Sequence, residues 1–274
     1  AASDVYKRQV LKNVDVAIEF GERVAIVGPN GGGKSTLINL ICRFYDPTEG
    51  TVELDNVPLT ELAVKDLRRR IAIVTQQTEL FNETILYNIR YGRWEATDEE
   101  IEEAARKARA HDFIAEFPDG YKTKVGPNGY RLSGGQRQRI GITRALSSQP
   151  KFIVCDEPVS ALDVSVQAQI LNLLLDLRKD FNLSYLFIAH DLGVVKYFSD
   201  RIIVMYLGKI VEVAPAENIY TAPKHPYTEA LLAAISKYKV GSERKILLQG
   251  SIPDPSKPIF FIRLIFGNND FLLK

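Results

Sequence analysis

The feature that most constrains this chain is a glycine-rich stretch between two apolar segments, "RVAIVGPNGGGKST" at 23–36. Four glycines, a lysine and two hydroxyl residues follow the apolar run, and "STLINLI" then carries apolar residues at helical spacing. This order predicts a buried strand, a tight loop and the start of a helix. Backbone N–H groups of such a loop point into one concavity, where the helix N-terminus favours an anion.

The glycine-rich loop also has the spacing GxxxxGK[ST], which is typical of triphosphate binding. Glycine lets the backbone approach a ligand closely. Lys34 is expected to reach the β and γ phosphates, and the Ser35 hydroxyl is expected to occupy one position on Mg²⁺. The predicted binding set at this loop is Gly28, Asn30, Gly31, Gly32, Gly33, Lys34, Ser35 and Thr36.

Strands alternate with helices along the rest of the chain, which predicts an α/β fold with a mostly parallel sheet. Three further apolar runs predict buried strands, and three regions predict hairpins. The first hairpin begins with a strand from Val10 to Phe20, in which Val14, Val16, Ile18 and Phe20 alternate. The second is "EGTVELDNVPL" at 49–59, and the third turns at Gly208-Lys209. The first helix should end at Asp46-Pro47. The buried strands are "RIAIVTQ" at 70–76, "KFIVCDE" at 151–157 and "SYLFIAH" at 184–190.

A largely helical segment at about 84–147 interrupts the strands. Thr97 and Glu100 form a predicted capping box, and Asp163 could cap a later helix. Within the segment, "RLSGGQRQR" at 131–139 places Ser133, Gly134 and Gly135 at another helix start. It could bind a second anion or be a glycine-flanked helix cap.

The strand "FIVCDE" ends in two acids. Asp156 could hold Mg²⁺ through water, and Glu157 could orient and deprotonate an attacking water. Two acids after an apolar strand are usually only a solvated strand exit, so this interpretation depends on the other motifs.

Composition excludes several classes of protein. Thirty-five basic and 34 acidic residues leave a net charge of +1, and no basic stripe indicates a nucleic-acid partner. Cys42 and Cys155 are expected to be reduced thiols. The sequence contains no apolar run of about 18 residues, so it predicts no membrane span. Residues 1–9 are expected to be artefactual or disordered sequence outside the fold.

Together these motifs resemble the nucleotide-binding domain of an ATP-binding cassette (ABC) transporter over residues 10–255. The order is the phosphate loop, Gln76, "LSGGQ", "FIVCDE", "SALD" with Asp163, and His190 in "FIAHD". The resemblance implies a P-loop NTPase with a RecA-like, mostly parallel sheet core. It also implies an antiparallel β subdomain and an inserted α-helical subdomain.

The resemblance implies ATP and Mg²⁺ as ligands and hydrolysis of ATP as the activity. Gln76 would sense Mg²⁺ and the attacking water, and His190 would contact the γ-phosphate. The implied catalytic residues are Glu157, His190, Lys34 and Gln76, and the implied metal set is Ser35, Gln76 and Asp156. Residues implied to contact ATP held by a second subunit are Ser133, Gly134, Gly135, Gln136 and Asp163.

Partners implied by the resemblance are a second ATPase subunit, identical or related, and transmembrane permease subunits. An importer would add a substrate-binding protein, and no nucleic acid is implied. The chain would lie peripherally on the cytoplasmic face of the cell membrane.

The two halves resemble different transporters. "ELFNETILYNIRYG" resembles exporters, whereas "VSALDVSVQAQILNLL" and "HPYTEALLAAI" resemble importers of oligopeptides and dipeptides. The shared "GGQRQRIGI" at 134–142 favours a chimeric origin, and a divergent single cassette is the alternative. Expected divisions are an ATPase domain at 10–215, a peptide-importer extension at 216–258 and an atypical tail at 259–274. Tyr6 is a weak candidate for stacking on adenine.

Peptide uptake is the favoured function because the C-terminal resemblance is longer. The alternatives are an exporter of lipid, drug or peptide and an ABC ATPase of DNA repair or translation. Repair members carry coiled-coil insertions and translation members usually join two cassettes, and this sequence shows neither. A GTPase switch is a further alternative, but the sequence lacks the Asn-Lys-x-Asp motif that recognises guanine. A purely structural α/β domain is the remaining class.

Overall fold

A computed structural model describes the backbone of residues 10–236 and the side chains of residues 10–234. Predictions on residues 1–9, Tyr6 included, and on the segment from 237 onward lie outside the described residues. The strands are β1 (Arg23–Val27), β2 (Glu53–Leu54), β3 (Val57–Pro58), β4 (Ile71–Thr75), β5 (Phe152–Asp156), β6 (Ser184–Ile188), β7 (Arg201–Tyr206) and β8 (Lys209–Pro215). The α-helices are α1 (Lys34–Ile41), α2 (Val64–Arg70), α3 (Ile85–Arg90), α4 (Asp98–Lys107), α5 (His111–Ala115), α6 (Gly134–Ser147), α7 (Val164–Phe181), α8 (Leu192–Phe198), α9 (Ala216–Thr221) and α10 (Pro226–Ser236).

A six-stranded sheet in the order β4-β5-β6-β1-β7-β8 forms the centre of the fold. β8 pairs antiparallel with β7, and the other pairings are parallel. Thr75 pairs with Asp156, and Asp156 pairs with Ile188, so three strands end at the same level. Residues that follow these strands therefore meet at one edge of the sheet, which is where open α/β sheets bind ligands.

Both faces of the sheet are covered. Val24 and Ile26 of β1 pack with Leu37 and Ile38 of α1 on one face, and Ala25 of β1 faces the opposite, larger core. Because parallel strands are buried on both sides, they appear in sequence as continuous apolar runs. This property made the central strands predictable.

The predicted first strand at 10–20 is wrong. Lys12 donates its backbone N–H to the Gly208 carbonyl (2.9 Å), but this segment forms no strand ladder in the described part of the chain. Val14 is half-buried against the α1 face, as the alternation predicts, whereas Phe20 is 64% exposed. Phe20 lies in the turn before β1 and therefore beyond the end of the sheet, so the alternation no longer directs its side chain into the core. The short hairpin predicted at 49–59 is confirmed, since β2 and β3 pair antiparallel and turn at Asp55 and Asn56.

The first helix ends at Ile41, and not at Asp46-Pro47 as predicted. Arg43 has a left-handed φ of 51°, and Phe44 donates its N–H to the Asn39 carbonyl at 2.8 Å. These features are those of a Schellman motif, which closes the helix before proline is reached.

The predicted hairpin of β7 and β8 is present, but its turn is Leu207-Gly208, one residue earlier than expected. Both residues have positive φ, 49° and 77°, as a two-residue turn between twisted strands requires. The Thr97–Glu100 capping box is confirmed, with both hydrogen bonds formed. Asp163 occupies the N-cap position of α7, but its side chain makes no capping bond.

Four helices, α3 to α6, lie between β4 and β5, as the interruption at about 84–147 predicts. Within residues 10–236, no helix combines the length and the apolar character needed to cross a membrane.

Candidate active site

The glycine-rich loop lies between β1 and α1 and leaves its helix tip uncapped. Gly33 is the N-cap residue with φ 98°, and no side chain caps the helix. First-turn N–H groups have no acceptor within their own helix, so those of Lys34, Ser35 and Thr36 are available to a ligand. Gly31 has φ 73°, and a Cβ there would meet no atom within 4 Å. The tip has the geometry of an anion site.

The loop is held tightly from behind. A Cβ on Gly28 would lie 2.2 Å from the Met205 carbonyl oxygen, and one on Gly33 would lie 2.6 Å from Leu11 Cδ2. Gly208 in the β7–β8 turn donates its N–H to the Gly32 carbonyl at 3.2 Å. The glycines are therefore needed for close packing as well as for access by a ligand.

Lys34 bends back over the loop. Its ammonium donates to the carbonyls of Gly28 and Pro29, both at 2.9 Å, and the residue is only 7% exposed. Burial lowers the pKa of Lys34, while the nearby carboxylates of Glu157 and Asp156 raise it. A cation is thus held against the carbonyl groups of the loop.

The two acids at the end of β5 lie beside this cation. Burial raises the pKa of Asp156, the neighbouring Glu157 raises it further, and Lys34 and His190 oppose that rise. Glu157 Oε1 lies 2.5 Å from His190 Nε2, and Glu157 donates its backbone N–H to the Ile188 carbonyl. Its φ of 52° is left-handed, a strained conformation that clusters at functional sites in proteins.

Gln76 follows Thr75, the register partner of Asp156, and is exposed at the same edge of the sheet. Ser35, in the first turn of α1, is also exposed. A hydroxyl, an amide oxygen and a carboxylate are the hard oxygen donors that Mg²⁺ prefers. The residues present therefore fit Mg²⁺ bound together with a triphosphate.

The residues predicted to act on a second subunit form another group, at the start of α6. Ser133 accepts the N–H of Gln136 at 3.2 Å, and Gln136 Oε1 accepts the N–H of Ser133 at 2.9 Å. A Cβ on Gly134 would lie 3.0 Å from Leu162, and one on Gly135 would lie 2.8 Å from Val166. The helix tip therefore packs against the segment that carries exposed Asp163.

Sequence reasoning missed Gln138 and Thr78. Gln138 is 2% exposed, and its amide bonds to the Thr78 hydroxyl (2.8 Å) and the Thr75 carbonyl (3.3 Å). The available signal was a glutamine one turn before Ile142, on the buried face of α6. The motif "LSGGQ" ends at Gln136, so it gives no role to Gln138.

These elements define a phosphate-binding α/β protein whose site lies at the carboxyl edge of a parallel sheet. Residues 11–160 match the sequence profile of the family described as ABC transporter, and residues 211–259 match the profile described as oligopeptide/dipeptide transporter, C-terminal region. The chain belongs to the ABC transporter family and is an ABC ATPase, a class that couples ATP hydrolysis to transport. The predicted fold class is confirmed.

Relatives come from both groups that the two halves resemble. A Brucella ovis protein provisionally named as a peptide import ATP-binding protein is 42% identical over 262 residues, covering 91% of this chain and 80% of its own length. An ATP-dependent lipid A-core flippase of Chromobacterium violaceum is 47% identical over 202 residues, 74% of this chain and 34% of the flippase. A solved bacterial Atm1-family ABC exporter with ATP bound has a TM-score of 0.75 and 38% identity, covering 84% of this chain and 40% of the exporter.

Family membership implies ATP binding, dimerisation and a transmembrane partner. The relatives include both a protein named for peptide import and a flippase, which agrees with the prediction that importer and exporter features meet in one chain. Its origin by recombination remains a hypothesis.

Proposed function

We propose that this chain is the ATP-hydrolysing subunit of an importer of oligopeptides or dipeptides. The observation that carries the proposal is the match of residues 211–259 to the C-terminal region of oligopeptide/dipeptide transporters. The name of the Brucella ovis relative, which spans most of this chain, supports the same function. In this proposal ATP is the substrate that powers uptake.

The loop residues 28–36 hold the phosphates of ATP in this proposal. N–H groups of Gly31, Gly33 and the first turn of α1 donate to phosphate oxygens, as helix tips do for anions. Lys34 exchanges its bonds to the loop carbonyls for the β and γ phosphates. Ser35, Asp156 and Gln76 would hold Mg²⁺, which neutralises charge on the phosphate oxygens when bound.

Glu157 acts as the general base. Water attacks the γ-phosphorus, the bond to the bridging oxygen of ADP breaks, and the water proton passes to the Glu157 carboxylate. His190, 2.5 Å from Glu157 Oε1, orients this carboxylate and can donate an N–H to the γ-phosphate. Lys34 and His190 meet the negative charge that develops on the transferred group.

A second ATPase subunit, identical or related, completes each site. Ser133 is exposed at the tip of α6, and the adjoining Gly134 and Gly135 present backbone amides there. We assign this tip, with Gln136 and Asp163, to ATP bound by the partner subunit. Permease subunits would receive the motion at the cytoplasmic face of the membrane, and a substrate-binding protein would deliver the peptide.

Glu157→Gln tests the hydrolytic role. Because the amide cannot accept the water proton, kcat should fall about 10²- to 10⁴-fold, the usual contribution of a general base. ATP affinity should remain, and the ATP-bound dimer should last longer. Steady-state phosphate release, nucleotide titration and size-exclusion chromatography with ATP measure these effects.

Exposed Glu116→Gln is the matched control, since it makes the same chemical change away from the site. Equal kcat for the two variants would refute the role of Glu157.

The same pair of variants tests peptide uptake. In cells that lack their own peptide-importer ATPase but keep its permease, the wild-type chain and Glu116→Gln should restore uptake of a labelled tripeptide. Glu157→Gln should not. Wild-type hydrolysis without uptake would remove peptide import and leave the ATPase assignment intact.

An exporter ATPase is the second candidate. The flippase and the solved exporter resemble most of this chain, which supports it. Stimulation of ATPase activity by fusion to an exporter's membrane domain, and not by a peptide permease, would favour this candidate.

A further inference from the structure

The side chain of Gln138 bridges α6 and the loop that follows β4. Its Oε1 accepts the Thr78 hydroxyl at 2.8 Å, and its Nε2 donates to the Thr75 carbonyl at 3.3 Å. The residue is 2% exposed. A buried side-chain amide that loses its partners is destabilising, so the bridge constrains both elements.

α6 is shaped to accept this loop. Gly141 lies one turn after Gln138, and a Cβ there would be 2.7 Å from Thr78 Oγ1. One further turn along, Arg144 donates through Nη1 and Nη2 to the Glu79 carbonyl at 3.1 Å and through Nε to the Asn88 carbonyl at 2.8 Å. Positions three residues apart share a helix face. One face of α6 therefore binds the loop at Thr75, Thr78 and Glu79.

Gln76 lies between the two attachment points of Gln138. Thr75 precedes it, Thr78 follows two positions later, and Gln76 itself is exposed at the site edge. The Thr75 hydroxyl also donates to the Gln77 carbonyl at 2.9 Å. Fixing both flanks of a short segment limits where its exposed side chain can lie. Gln138 thus constrains the chain on both sides of Gln76.

The same helix begins at Gly134, directly after Ser133. Gln138 lies five positions after Ser133, which is about 7.5 Å along a helix axis. A rigid helix connects the tip assigned to the partner's ATP with the bridge that positions Gln76. Displacement of the tip would therefore move Gln76.

We propose that Gln138 is a positioning residue that holds Gln76 at the site edge and couples it to Ser133, so that the two ATP sites of a dimer respond to each other. The proposal rests on the roles given above to Gln76 and Ser133. It identifies a route between the sites that runs through α6.

Gln138→Leu and Thr78→Val test the proposal in the full chain. Leucine removes both hydrogen bonds, and valine replaces the Thr78 hydroxyl at nearly constant shape. Thr78→Ser retains the hydroxyl and is the matched control. Amide hydrogen exchange without nucleotide should be faster at residues 75–80 in the first two variants and unchanged in Thr78→Ser.

Hydrolysis supplies the second measurement. Because a small misplacement of a catalytic group is costly, kcat should fall about tenfold or more in Gln138→Leu and Thr78→Val. KM for ATP should stay within about twofold, because the phosphate loop is untouched. A general loss of structure would instead lower kcat, ATP affinity and melting temperature together.

The proposal would be overturned if amide exchange at residues 75–80 were as slow in both Gln138→Leu and Thr78→Val as in the wild-type chain. A kcat equal to the wild-type value in both variants would also overturn it. Equal losses in Thr78→Ser and Thr78→Val would overturn it too, since the hydroxyl would not matter. If Gln138→Leu does not fold, Thr78→Val and Thr78→Ser decide the question. Failure of the proposed function would look different. The rate of hydrolysis would then be unchanged in Glu157→Gln, while exchange at residues 75–80 would still be faster in Thr78→Val than in Thr78→Ser.

Discussion

The two glycine-bearing helix tips, at α1 and α6, differ in whether a side chain caps the N–H groups of the first turn. At α1 the N-cap is Gly33, buried and left-handed, and no side chain satisfies the first turn. At α6 the N-cap is exposed Ser133, and a capping box with Gln136 satisfies the N–H groups of those two residues, which leaves the N–H groups of Gly134 and Gly135 to a ligand. The first tip carries a buried lysine, and the second carries no charge at Ser133, Gly134, Gly135 or Gln136.

This difference supports a different binding role for each tip. The α1 tip keeps its donors for a ligand and is rigid because β7 and Leu11 pack behind it. The α6 tip has its own capping box, and in the proposed function its ligand is the ATP of a second subunit. We infer that α1 can bind nucleotide in a single chain, whereas α6 contributes only in a dimer.

The largest expected effect separates the backbones of the two tips. Gly33→Ala combines a left-handed φ of 98° with a contact of 2.6 Å to Leu11, so it should lower the free energy of unfolding by about 2–4 kcal/mol. Gly135→Ala adds a contact of 2.8 Å to Val166 but no left-handed strain, and it should cost less. Denaturant titration measures both, and equal costs would contradict the difference in backbone.

The next effect separates the tips by nucleotide affinity. Lys34→Met removes a charged donor, so Kd for ATP should rise about tenfold to a hundredfold at concentrations where one chain acts alone. Ser133→Ala should leave that Kd unchanged, because its ligand belongs to a partner. Calorimetric titration is the measurement. Similar losses in both variants would mean that both tips contact the same bound ATP.

The smallest effect concerns the cap itself. Ser133→Ala should lower the free energy of unfolding by about 1 kcal/mol, and Ser133→Gly by a few tenths, as N-cap substitutions usually do. Thermal unfolding of the chain without nucleotide provides the values. An equally stable alanine variant would show that the capping box adds nothing in solution.

Local patterns explain why much of this fold was predictable. Strands β1, β5 and β6 are buried on both faces, and β4 is buried on one face and half-buried on the other, so each is a short apolar run that ends in a polar residue or a loop. The Thr97–Glu100 box is likewise local, and it formed as predicted. The turn at Leu207-Gly208 was placed one residue late, because glycine fits several turn positions and only the pairing register of β7 and β8 selects one.

Predictions failed where a residue's role depended on distant neighbours. Phe20 continues the alternation of Val14, Val16 and Ile18, but it lies beyond the sheet and is exposed. Asp163 starts α7 without capping it. Gln138 looked like one more polar residue of a motif, and its partners Thr75 and Thr78 lie about sixty positions earlier in the sequence.

The sequence by itself determined the chemistry at each position: bare amides at residues 28–36, a cation at Lys34, and acids at the end of an apolar strand. Spacing and periodicity are local, so they carry this information without reference to the rest of the chain. Only the tertiary structure decided that Asp156 lies level with Thr75, that His190 meets Glu157, and that α6 holds the Gln76 loop. Strand register and the packing of helices bring those groups together, and both arise from burial of surfaces far apart in sequence.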